Sequence, residues 1–190
     1  METVNQRAGK LNFRGVEPQV GMGLLLNFWN RQLYTGPIVY RTAFMRDMAN
    51  TNNGPYFSEL LLYAILFAGS QFTAEAAAAR TLAEVNATGR QYRAKFEQAL
   101  HSSGSIFKSE VTTIQALLVV SDTLFSWCNE RSLSWHYMGL AINMIIDLGL
   151  HSNQSLCGPS EPAAAEVTEI RRRLFWAAFS KSKRDGEERN

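Results

Sequence analysis

Apolar residues recur along most of this chain at helical spacing, and no useful length alternates apolar and polar positions as a strand would. The clearest stripe lies in Thr112–Trp127, where Ile114, Leu117, Leu118, Ser121, Leu124 and Phe125 follow the i, i+3, i+4, i+7 rule. A short link, Asn129–Ser132, leads to a second helix predicted over Ser134–Leu148, with Tyr137, Ala141, Met144, Ile145 and Leu148 on one stripe and Gly149 as its cap. So short a link makes the two helices antiparallel neighbours. Upstream, Val20–Leu33 reads as a helix broken by Gly36-Pro37, and Arg41–Ala49 as a short helix carrying Phe44, Met45 and Met48. Asn52-Asn53-Gly54-Pro55 is a turn. Tyr56–Gly69 follows as a helix apolar nearly all round, the mark of a central element. Thr73 caps an alanine-rich helix, Thr88-Gly89 divides it from Arg90–Leu100, and Ser102–Ser105 is a loop. After a polar loop to Pro162, the last helix spans Ala163–Phe179. The fold class is therefore all-α, an array of antiparallel helical hairpins. A flexible lead over 1–19 precedes the helical body of 20–179, and a polar disordered tail covers 180–190, which holds no apolar side chain and is expected not to pack.

Composition supports a buried core, with 46% hydrophobic residues and only 5 prolines among 190 residues. The formal net charge of +2 is too small for a nucleic-acid surface over the whole chain. The longest apolar run, Leu60–Ala68, falls well short of the roughly 20 residues of a membrane helix, so no membrane association is expected. The 2 cysteines, Cys128 and Cys157, read as free thiols in a reducing compartment. No Cys-x-x-Cys pair exists, and His101, His136 and His151 stand at no metal-ligand spacing, so no metal ligands are assigned. His136 reads as a packed side chain, and His151, just past a helix C-terminus, suits the helix dipole. No nucleophile elbow or phosphate loop occurs, and Asp122, Glu130 and Asp147 form no evident acid/base pair. No catalytic, cofactor-binding or metal residues are named, and the chain is not expected to be an enzyme. Trp127, Trp135 and Trp176 could line a ligand pocket, although bundle packing is the commoner reason for such rings. Arg171-Arg172-Arg173 could be a localisation signal or a phosphate contact. A solvated helix face partnered by Glu166 and Glu169 is the preferred reading.

Three ordered segments carry a resemblance. Trp135-His136-Tyr137-Met138-Gly139-Leu140-Ala141-Ile142-Asn143-Met144-Ile145-Ile146-Asp147-Leu148-Gly149-Leu150-His151 resembles the signature of the fungal-specific transcription factor domain, the middle homology region of binuclear zinc-cluster regulators. Glu169-Ile170-Arg171-Arg172-Arg173-Leu174-Phe175-Trp176 and Thr112-Thr113-Ile114-Gln115-Ala116-Leu117-Leu118 resemble two further motifs of that family. Val39–Met48 and Gly54–Leu61 are similar to its opening segments, so the likeness covers about residues 20–179. In that setting Gly139 is expected to let a neighbouring backbone approach its helix. The resemblance implies a nuclear regulator of RNA polymerase II transcription, with the cytoplasm open to a fragment. It would respond to protein partners, to self-association or to a small-molecule effector. DNA binding and zinc would belong to a six-cysteine head that this chain lacks. The family continues past the Leu-Phe-Trp helix, so the array is expected to be incomplete at its C-terminus and sticky where cover is missing. The competing reading, a helical-repeat interaction scaffold, calls for a recurring period of about 34 residues, and none is found.

Overall fold

The computed structural model describes residues 11–35, 38–50, 54–78, 87–151 and 162–187, with positions 81 and 84. It is all-α: α1 Pro18–Thr35, α2 Arg41–Ala49, α3 Glu59–Ser70, α4 Ala74–Ala78, α5 Arg90–Ser102, α6 Val111–Ser126, α7 Arg131–Asp147 and α8 Pro162–Glu187. One 3-10 turn, Ser105–Phe107, lies between α5 and α6, and no strand occurs among the described residues. The break at Gly36-Pro37, the Asn52-Asn53 half of the turn, Cys157 with the loop 152–161, and most of the lead lie outside the described residues.

The centre is α3. It starts at Glu59 rather than at the expected Tyr56, because Ser58 is its cap: the Ser58 hydroxyl accepts from the Leu61 amide at 3.1 Å, and Glu59 stands in the positively polarised first turn. Every residue from Leu60 to Ser70 is buried, as the all-round apolar pattern requires. The helix packs against α1, α5 and α6. Where α1 crosses it, Gly69 is required: a Cβ there would overlap the Leu24 backbone carbonyl.

α6 is buried on more than the predicted stripe, since α3, α7 and α8 all pack on it. Its inward polar groups are satisfied locally. Gln115 Nε2 donates to the Ile38 carbonyl at 3.1 Å, and Thr123 Oγ1 to Val119 at 2.9 Å. Ser121 Oγ donates to the Ser134 carbonyl at 2.9 Å and Ser134 Oγ to the Ser121 carbonyl at 2.8 Å, a reciprocal pair that joins α6 to the first turn of α7. Among the described helices, α6 and α7 share the most extensive interface. A second clasp closes their link: Arg93 of α5 holds both oxygens of Glu130, at 2.5 and 2.8 Å.

Helix α7 begins at Arg131, a turn earlier than expected, and buries Tyr137, Ala141, Met144 and Ile145. It ends as predicted. Gly149 has φ +63°, its amide donates to Ile146, and the Leu150 amide donates to Ile145, the bond pattern of a Schellman cap with half-buried Leu150 folded back against the core. The expectation for Gly139 is corrected, since a Cβ there would meet nothing within 4 Å. The expectation for the tail is corrected too. α8 runs on to Glu187, and Lys181 is buried with 2% of its surface exposed. Lysine can pack where its aliphatic stem is covered and its ammonium finds oxygen partners.

Candidate functional site

Helix α8 has two unlike faces. Ile170, Leu174, Ala177, Ala178 and Lys181 are buried on one side, at i, i+4, i+7, i+8 and i+11. This side packs on α6 and α7. The other side carries Arg172, Trp176 and Phe179, with Trp176 55% and Phe179 53% exposed. With half-buried Phe175 these rings make one cluster. Phe175 stacks on Phe179 at 6.3 Å between centroids, and Trp176 meets Phe179 edge-on at 5.8 Å and Phe175 at 5.6 Å. Rings that touch one another while facing solvent form a continuous apolar patch, the kind of surface that marks an interaction site.

The patch is held at a fixed angle by polar contacts of the inner side. The Lys181 ammonium lies 2.8 Å from Asp122 of α6 and donates to the Leu118 carbonyl at 3.1 Å. At the other end, Arg46 of α2 donates to both oxygens of Glu166 at 3.1 Å. Arg46 is in turn set by Asp47, at 2.9 Å, whose second oxygen accepts from the Tyr56 amide at 2.9 Å. These carboxylates, Asp47 foremost, hold the Arg46 guanidinium in its charged form. Arg173 stacks over the Tyr40 ring at 4.8 Å and donates to Glu169 at 2.7 Å, while Arg172 reaches the same carboxylate at 2.7 Å. These two guanidiniums, Arg173 first, hold the Glu169 carboxyl below its ordinary value.

The arginine triplet thus combines the preferred sequence reading with a structural part. Glu169 partners Arg172 and Arg173 within the helix, but Glu166 is turned to α2 instead, and Arg173 helps seat α8. The three tryptophans named as pocket candidates do not form one ring cluster: Trp127 pairs with Phe72, and Trp176 with Phe175 and Phe179. His101, His136 and His151 are all exposed. Cys128 is buried, and burial first, then the Glu130 charge, pushes its thiol up to about 11. Among the described residues no three His, Cys, Asp or Glu side chains are grouped to hold a metal ion, and no helix is long and apolar enough to cross a membrane. Sequence reasoning missed the Lys181–Asp122 pair. The signal was present, because Lys181 continues the period of Ile170, Leu174 and Ala177.

The family model of the fungal specific transcription factor domain matches residues 22–181, so its span closes on the buried lysine that fixes α8. The chain belongs to this family. Three relatives come from Schizosaccharomyces pombe. Two are uncharacterized transcriptional regulatory proteins, one 29% identical over 84% of this chain and 24% of its own length, the other 30% identical over 74% and 21%. The third is the thiamine repressible genes regulatory protein thi1, 30% identical over 82% of this chain and 20% of its own length. The chain therefore spans about a fifth to a quarter of the length of these three relatives. No solved structure matches it. The family is one of transcription regulators and not of enzymes.

Proposed function

We propose that this chain is a nuclear regulatory module that controls transcription through protein contacts on the solvent face of α8, without catalysis, and that a second copy of the chain is the first occupant of that face. The observation that carries this reading is the exposed Phe175–Trp176–Phe179 cluster on a helix whose opposite side is anchored at both ends. The cluster suits self-pairing. Two-fold dimers bring one patch against itself, and here the neighbouring Arg172 is paired with Glu169, which lowers the charge it carries to the seam. Reading of DNA bases, and the zinc that goes with it, belong on this proposal to a separate zinc-cluster head.

The regulatory part is tested by fusing the chain to a heterologous DNA-binding domain in yeast and measuring a reporter downstream of that domain's site. The fusion is expected to change reporter output, and Trp176→Glu is expected to abolish the change at equal protein level. A fusion without effect, or one whose effect survives Trp176→Glu and Phe179→Glu together, overturns the proposal.

A further inference from the structure

The end of α1, the α3–α4 link and the end of α6 line a recess of about 320 Å³. That size falls within the range of small-ligand sites, roughly 300–1,000 Å³. Its apolar walls are Phe72 and Trp127, which meet edge to face at 5.0 Å. Trp127 caps α6 in place of ending it, as Asn129, with φ +55°, turns the chain away, and its indole is left 47% exposed at the rim. Arg31 lies across the Phe72 ring at 5.2 Å and is the cation of the recess. Among the described residues no carboxylate lines this cavity; Asp122, which lines the smaller adjoining cavity with Arg31, is held by Lys181 at 2.8 Å. The polar wall is already engaged. Gln71 Nε2 donates to the Thr88 carbonyl at 3.1 Å and to Ser70 Oγ at 3.3 Å, and the Thr73 hydroxyl donates to Ser70. These bonds fix the shape of the recess and leave its charge to Arg31.

We infer that this recess binds a planar aromatic carboxylate, its ring lying on Trp127 and Phe72 and its carboxylate on the Arg31 guanidinium. The planar fork of arginine pairs two N–H donors with the two oxygens of a carboxylate. A ring already stacked beneath that guanidinium keeps it oriented and partly dehydrated, which strengthens the pairing. A neutral aromatic would keep the ring contacts and lose the charge-assisted bonds. A small acid without a ring would keep the charge and leave the indole wet. The recess is formed from elements other than α8, and this inference does not depend on the docking face proposed above.

The test uses the full chain with ¹⁵N-labelled tryptophan, in which each indole gives its own NMR signal and Trp127→Phe identifies that of Trp127. Naphthalene-2-carboxylate and its neutral isostere naphthalene-2-carboxamide are titrated in parallel. The carboxylate is expected to move the Trp127 signal saturably and to bind about tenfold more tightly than the amide, the discrimination that one charge-assisted pair gives. Arg31→Gln is expected to bring the two probes to the same affinity while the other indole signals stay in place, which shows that the fold is kept. A Trp127 signal that neither probe moves overturns the inference. So does a carboxylate preference that survives Arg31→Gln.

Discussion

At the residue scale, two glycines in similar helical settings have opposite meanings. Gly69 is held by the Leu24 carbonyl against its α-carbon, whereas Gly139 faces open space, so the extra backbone freedom of glycine is a cost there without a return. Gly139→Ala is expected to raise stability by about 0.5–1 kcal/mol, and Gly69→Ala to lower it, by paired urea denaturation curves. Both glycines sit in helical runs of the sequence, and only the crossing partner tells them apart, which is why the motif likeness pointed to the wrong one. The buried Lys181–Asp122 pair gives a second contrast. Lys181→Met takes the cation from a largely buried carboxylate and is expected to cost about 3–5 kcal/mol, with much of the loss recovered when Asp122→Leu is added. Cys128 supplies a test in pH. Its thiol pKa is raised from 9.0 to about 11 in the folded chain, so the folded state binds more protons between those values. Its contribution to stability is complete below about pH 9 and is lost as pH rises toward 11. In a Cys157→Ser chain, labelling by a disulfide reagent at pH 8 is expected to be about 100-fold slower than for an ordinary thiol, and to accelerate when the chain is unfolded in urea. Fast labelling of folded protein would show that Cys128 is not buried as described.

At the element scale, the helices were legible wherever one face is packed. α3 was legible because all its faces are packed, and the Gly149 cap because its chemistry is local. Their boundaries were less so. Tyr56 continues the apolar pattern into the turn before α3, but the capping hydroxyl of Ser58 decides where the helix starts. Only polar side chains follow Phe179, so the apolar pattern ends the last helix there. The structure continues it because one of them, Lys181, lies on the inner stripe within reach of Asp122. A chain shortened to end at Ser180 is expected to lose stability by an amount similar to Lys181→Met, while one ending at Lys183 keeps most of it, by thermal melts followed in the far ultraviolet. Equal stability of all three chains would show that α8 is not secured through that residue.

At the scale of the whole molecule, the all-α class followed from period alone, and the family from three ordered motifs. The surface did not follow, for a physical reason. Leu174, Phe175, Trp176 and Phe179 are equally apolar in the sequence, and which of them is covered depends on the direction in which α8 meets α6 and α7. The anchors that set this direction, Arg46–Glu166 and Lys181–Asp122, join residues 120 and 59 positions apart, beyond any local pattern. The recess at Trp127 is of the same kind, made from segments as far apart in the sequence as Arg31, Phe72 and Trp127. On the proposal above, the solvent face of α8 is a contact surface through which the chain pairs. Sedimentation velocity over a range of protein concentrations tests it most directly, with the unaltered chain beside Trp176→Glu and Phe179→Glu, both at exposed positions where the fold is expected to tolerate the change. The unaltered chain is expected to form a concentration-dependent dimer, and each variant a monomer of unchanged helical content. An unaltered chain that stays monomeric throughout, or a dimer that both variants keep, would contradict it.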